Sequence, residues 1–151
     1  MVTDLRFKNK SGIIATVLLA LLSGFTVSGL LNTSKTLTSS GSVKTINVGV
    51  YYDELCTQVM NSVDWGTLKP GEEVYQTVYI MNPGSSPLNV SMTTSNWAPA
   101  EAANYITFTW DSEGASIDSD QVLQVLLTLS VSDTITGLTD FSFNIVIEGA
   151  G

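Results

Sequence analysis

The chain lacks histidine altogether, has one cysteine, and is poor in charge, and each shortage removes a class of function. Without histidine no His-Glu-x-x-His zinc site can exist, and the commonest general base is missing. With Cys56 alone no intrachain disulfide is possible. That leaves a half-buried thiol acting as a small hydrophobe, or a bridge between the Cys56 side chains of two subunits. Only 13% of residues are charged, and Ser, Thr, Val, Leu, Gly and Asn fill the chain instead. Such residues suit pleated, half-buried strands, whereas a soluble helical domain would carry more Glu, Lys and Ala. No segment after Leu31 sustains a 3.6-residue repeat over three turns, which excludes a helical bundle.

Positive charge is scarce and unevenly placed. Arg6, Lys8 and Lys10 precede a long apolar run, leaving Lys35, Lys44 and Lys69 against thirteen acids beyond it. That balance repels nucleic acid and anionic head groups, so neither is expected as a partner. Residues 1–12 read as a basic cytoplasmic region. Residues 13–31, IIATVLLALLSGFTVSGLL, carry no charge and as a helix span about 30 Å, the thickness of a bilayer core. This run is a signal peptide cut near Ser28 or Gly29, or a retained transmembrane anchor. A prepilin-type cut between Gly12 and Ile13 is a third option. In every case basic residues ahead of the run send the downstream chain to the cell surface or beyond, membrane-anchored or secreted.

The remainder reads as strands. Residues 32–43 are Ser/Thr-rich, a polar linker or a strand ordered only by a partner, and residues 44–151 are expected to form the extracellular domain. Ile46, Val48, Val50 and Tyr52 alternate with polar residues as one strand would. Lys69-Pro70-Gly71-Glu72 is a turn in which Pro70 presets φ and Gly71 takes a positive φ. Val74, Val78 and Ile80 oppose Tyr75, Thr77 and Tyr79. After Asn82-Pro83-Gly84-Ser85-Ser86-Pro87, Leu88, Val90 and Met92 resume the alternation, so the two segments predict a hairpin. Ile106, Phe108 and Trp110, then Leu123 to Val131, then Phe141 to Ile147 repeat the period of two. About seven strands at this spacing predict an all-β, immunoglobulin-like two-sheet sandwich preceded by one hydrophobic helix.

Several segments are familiar as a set. Gly49-Val-Tyr-Tyr-Asp53, Val63-Asp-Trp-Gly-Thr-Leu-Lys-Pro-Gly71, Val78-Tyr-Ile-Met-Asn82, Ser95-Asn-Trp97 and Tyr105-Ile-Thr-Phe-Thr-Trp110 resemble archaeal secreted β-sandwich proteins. Through them the chain resembles the TasA/camelysin family of biofilm-fibre subunits and archaeal bundling pilins. The resemblance covers most of residues 35–149 and rests on structural positions: Asp64, Trp65, Pro70, Gly71, Trp97 and Trp110. It implies a fibre-forming sandwich in which a segment near the mature N-terminus can enter the next subunit as a donor strand. Thr36 to Thr45 occupies the matching place, with Leu37 and Val43 its only large apolar residues. The metalloprotease label that some camelysin relatives carry is incompatible with the absent histidine.

Candidate chemistry is sparse. Asp111, Glu113, Asp118 and Asp120 lie in one loop and could offer carboxylate oxygens to calcium, although Gly114 comes too early for an EF-hand. The same spacing suits a solvated turn. Asn32-Thr-Ser and Asn89-Val-Ser are glycosylation sequons beyond the apolar run. Trp65, Trp97, Trp110, Tyr51, Tyr75 and Tyr79 serve either as core and loop pins or as a carbohydrate platform. Scattered lysines and solvated acid pairs give no catalytic constellation. The expectation is therefore a non-catalytic surface protein, a filament, biofilm-matrix or pilus-like subunit that self-associates through strand edges. An anchored monomeric module binding glycan or calcium is the alternative.

Overall fold

A computed structural model describes residues 36–151. Nine strands form two sheets: β1 (Leu37–Ile46), β2 (Gly49–Tyr51), β3 (Ser62–Leu68), β4 (Glu73–Met81), β5 (Leu88–Ala98), β6 (Ile106–Trp110), β7 (Ser116–Ile117), β8 (Val122–Val131) and β9 (Asp140–Ala150). The first sheet runs in the order β3-β1-β9-β5-β7 and the second in the order β2-β4-β8-β6. The expected all-β, two-sheet architecture is present, while the hydrophobic helix expected over residues 13–31 lies outside the described residues. No helix among the described residues is long and apolar enough to cross a membrane.

The alternating segments form strands because one face of each can leave water. Phe141, Phe143, Ile145 and Ile147 of β9 meet Val78 and Ile80 of β4 and Val125, Leu127 and Leu129 of β8 in a single core. Each such side chain contributes about 1.5–3 kcal/mol on full burial. Every strand pair is antiparallel except one: β1 runs parallel to β9, Thr38–Ile46 beside Asp140–Glu148. On its other side β1 pairs antiparallel with β3.

Four expectations need correction. The polar stretch that reads as a linker or partner-ordered strand is, from Leu37 onward, the interior strand β1 of the protein's own sheet. Its inward positions carry Leu37, Ser39 and Gly41, so burial there does not show as hydrophobic alternation.

The strand expected from Ile46 to Tyr52 is broken. Asn47 takes a left-handed φ of 60° and its side-chain amide donates to the Gly149 carbonyl at 3.1 Å. The chain changes sheet there, leaving Ile46 45% exposed and Val50 buried.

β4 and β5 are not a hairpin, because they belong to different sheets. Their connection crosses the sandwich instead, held by Asn82, which is fully buried. Its Nδ2 donates to the carbonyls of Ser86 and Ile117, both at 2.9 Å, and its Oδ1 accepts from the Gly84 amide at 2.9 Å.

Finally, nine strands replace about seven, because β1 and the two-residue β7 carry too little hydrophobic alternation to show as strands.

Candidate functional site

The strand β1 and the groove that holds it are the most distinctive assembly on the molecule. β1 fills a gap between β3 and β9, so that without it both would present open backbone edges. Main-chain bonding holds it on both sides, but its side chains add little. Leu37 is buried and Val43 half-buried, whereas the other inward residues are Ser39, whose hydroxyl reaches the Gly66 carbonyl at 3.3 Å, and Gly41. A Cβ on Gly41 would lie 3.1 Å from the Val63 side chain and 3.5 Å from the Trp65 indole nitrogen. That indole N–H is buried and finds no hydrogen-bond acceptor among the described residues. The groove is thus matched to a strand with small side chains at its centre.

The strand β3 forms one wall of this groove and is shaped by a bulge. Ser39 pairs with Gly66 and Ser40 with Asp64, so Trp65 has no partner of its own. Gly66 takes φ +73°, and its amide donates to Asp64 Oδ1 at 2.8 Å. Trp65 faces inward two residues after buried Val63, and its ring meets Phe108 edge-on at 5.7 Å. Asp64 and Trp65 thus shape the bulged wall of the groove. In the turn that follows β3, Gly71 takes φ +76° and the Glu72 amide donates to the Lys69 carbonyl at 3.1 Å.

The sheet edges differ in how open they are. β3 is kinked by the bulge in its pairing with β1 and carries the exposed Asp64, both of which discourage further pairing at its free edge. β2 is partly covered, since Val59 bridges Tyr51 and the Met60 amide donates to the Val50 carbonyl. β7 is two residues long. β6 has no neighbour beyond β8 and no bulge.

The loop after β2 is built on Asp53, which the sequence shows only as the end of a familiar segment, with no role attached. Asp53 accepts from the Thr57 amide and hydroxyl and from the Gln58 amide, with the hydroxyl bond at 2.8 Å. This ties the turn on which Leu55 stands 84% exposed. The Asp-x-x-x-Thr spacing is the signal that could have found it. Desolvation opposes the Asp53 charge, but the Thr57 hydroxyl and the Gln58 and Thr57 amides outweigh it and hold the carboxyl below its ordinary range. Its contribution to loop order is then complete above the unfolded value of 3.8 and lost as the pH falls through the lower folded value. The Thr57 and Gln58 amide resonances should shift together in an NMR titration with a midpoint below 3.8. A midpoint at or above that value would remove Asp53 as the organiser. Beside it, Cys56 is half-exposed, and desolvation followed by the Asp53 charge pushes its thiol up, toward the protonated form.

The acidic loop does not gather its carboxylates. Asp111 Oδ1 accepts from the Leu126 amide at 3.0 Å and the Ser112 hydroxyl at 2.8 Å. Glu113 Oε2 accepts from the Trp110 indole at 2.7 Å and the Met92 amide at 3.2 Å. Asp118 caps a turn through its backbone carbonyl, and Asp120 takes a left-handed φ of 59°. Among the described residues no three acidic, cysteine or histidine side chains converge as a metal requires. The bonds of Asp111 and Glu113 serve the strands on either side of the loop.

Trp97 stacks on Phe143 with centroids 4.2 Å apart and planes 8° apart, and Trp110 packs half-buried against the same core. Asn89 is exposed on β5, where its sequon faces solvent, and Asn32 lies outside the described residues. No family model matches the chain, and none of the curated proteins is significantly similar to it.

Proposed function

We propose that the chain is a non-catalytic structural protein of the cell surface, a filament or biofilm-matrix subunit whose sandwich is of immunoglobulin-like type. The observation that carries this reading is β1. It is the first strand among the described residues, yet it sits inside a sheet, and its departure would leave β3 without a strand partner and the edge of β9 open until another copy fills the gap. The same strand from a neighbouring copy would restore every bond it makes, which is the low-cost route by which exchange links protomers. Its small inward side chains keep the penalty for leaving low, since Leu37 is the only large one fully buried. The reading agrees with the resemblance to TasA/camelysin fibres and bundling pilins, and with a basic segment and an apolar run at the N-terminus that direct the domain outward.

Ser42 and Ser62 face each other across β1 and β3 and both point to solvent, so they report which chain fills the groove. In a Cys56→Ser background, Ser42→Cys with Ser62→Cys should give covalent ladders on non-reducing gels of native envelope material. Bridges confined to the monomer, in material without filaments under negative stain, would overturn the proposal.

A further inference from the structure

The chain sorts its aromatic residues by type. Among the described residues the five close ring pairs join Trp65, Trp97, Phe108, Phe141 and Phe143, and no tyrosine takes part. Three of the five tyrosines stand instead on the outer face of the sheet β2-β4-β8-β6. Tyr51 is the register partner of Tyr79, and Tyr75 lies four residues back along β4 on the same side, 59% exposed. A Cβ on Gly49 would lie 2.6 Å from the Tyr51 ring, so this ring folds back over the backbone of its own strand. Between the tyrosines lie Thr77 and Leu126, register partners, with Gln124 beside Tyr79 and Thr128 beside Tyr75.

The chemistry of this face is neutral. Its four strands contain no lysine or arginine, and the two carboxylates at it are engaged: Glu73 at the start of β4 accepts from the hydroxyls of Tyr75 and Ser130, and Asp111, just after β6, accepts from the Leu126 amide and the Ser112 hydroxyl. Strands of these lengths, at about 4.8 Å spacing and 3.4 Å rise, make a face of roughly 450 Å², against the ~800 Å² per partner that a stable protein interface buries. A second copy of the chain is therefore a poor occupant. An anionic polymer is repelled by a chain of net charge −8.

We propose that this face binds a neutral, extended polysaccharide. Tyr51 and Tyr79 at one end and Tyr75 about 14 Å along the strand offer aromatic faces on which the C–H faces of successive sugar rings stack. Thr77, Thr128 and Gln124 between them supply hydroxyl and amide partners for sugar hydroxyls. The proposal is independent of strand exchange, since β1 lies in the other sheet.

The test is affinity electrophoresis of the full chain in a zwitterionic detergent, with hydroxyethylcellulose and galactomannan as neutral probes and polygalacturonate as the anionic one. At least one neutral polymer should retard the protein and polygalacturonate should not. Tyr75→Ala, at an exposed position that leaves the core intact, and Tyr79→Ala should each weaken the retardation about tenfold, while Phe at either position keeps most of it. Tyr52→Ala, off the face, should change nothing. Absence of retardation by both neutral polymers, or equal retardation of the alanine variants at unchanged melting temperature, would overturn the proposal. So would a concentration-dependent dimer that Tyr75→Ala abolishes.

Discussion

Replacing Phe143 with alanine is expected to cost about 3–5 kcal/mol, the range for removing a large aromatic from a packed core. Phe143 is 2% exposed in the middle of β9, and three rings rest on it: Trp97 stacked at 4.2 Å, Phe108 edge-on at 5.2 Å and Phe141 at 6.3 Å. Aromatic contacts of this kind add about 0.5–1.5 kcal/mol each beyond the area they bury. The effect is a large fraction of the roughly 5–15 kcal/mol by which a domain is stable, and should lower the melting temperature by more than about 10 °C. Phe143→Leu should recover more than half of the loss. Thermal and urea unfolding followed by circular dichroism would measure both. A loss below about 1 kcal/mol for the alanine variant would mean that the ring cluster is not where the two sheets are joined.

Asn82→Ala should be nearly as damaging, at about 3 kcal/mol, for a different reason. The substitution leaves the carbonyls of Ser86 and Ile117 and the amide of Gly84 without their partner, and each unpaired buried group costs about 1–3 kcal/mol unless water reaches it. Asn82→Asp should be no better, since a carboxylate cannot donate to either carbonyl. The loss should be local as well as global. Hydrogen exchange should quicken first in residues 82–88 and in β7, because the side chain is what ties the crossing between sheets to Ile117. Uniform exchange, with stability unchanged, would show that the crossing holds itself.

How legible the fold is in the sequence depends on whether burial is written in large side chains. β6, β8 and β9 are plain because each puts a large apolar residue at every second position and mostly polar residues between. β1 is hidden because its inward residues include Ser39 and Gly41, which a pattern of hydrophobicity passes over. The regular alternation from Ile46 to Tyr52 misleads in the opposite direction. It is genuine, but the left-handed turn at Asn47 divides it between two sheets. The apparent hairpin at Asn82–Pro87 fails for a related reason. Proline and glycine mark where a chain turns without saying which sheet it turns into. That is decided by a buried amide whose partners lie as far away as Ile117.

The site residues divide in the same way. Asp64, Trp65 and the Pro70-Gly71 turn are readable because their geometry is local. Trp97 reads as lying beside a loop, but it belongs to the end of β5, and the ring it stacks on, Phe143, is 46 positions later. Asp111 and Glu113 read as free oxygen donors because a sequence does not show which amides a carboxylate already serves. The tyrosines of β4 fall on one face by alternation alone. That this face is an outer one, and that Tyr51 of β2 joins it, requires the register of the second sheet.

The parallel pairing of β1 with β9 fixes how the domain carries load. Because β1, the first strand among the described residues, and β9, the last, point the same way, the chain enters the sandwich at one end and leaves it at the other. Tension applied through the two termini therefore runs along both strands in opposite senses, and the backbone bonds from Thr38 to Ile46 resist it together, in shear, where an antiparallel pair of terminal strands would unzip one bond at a time.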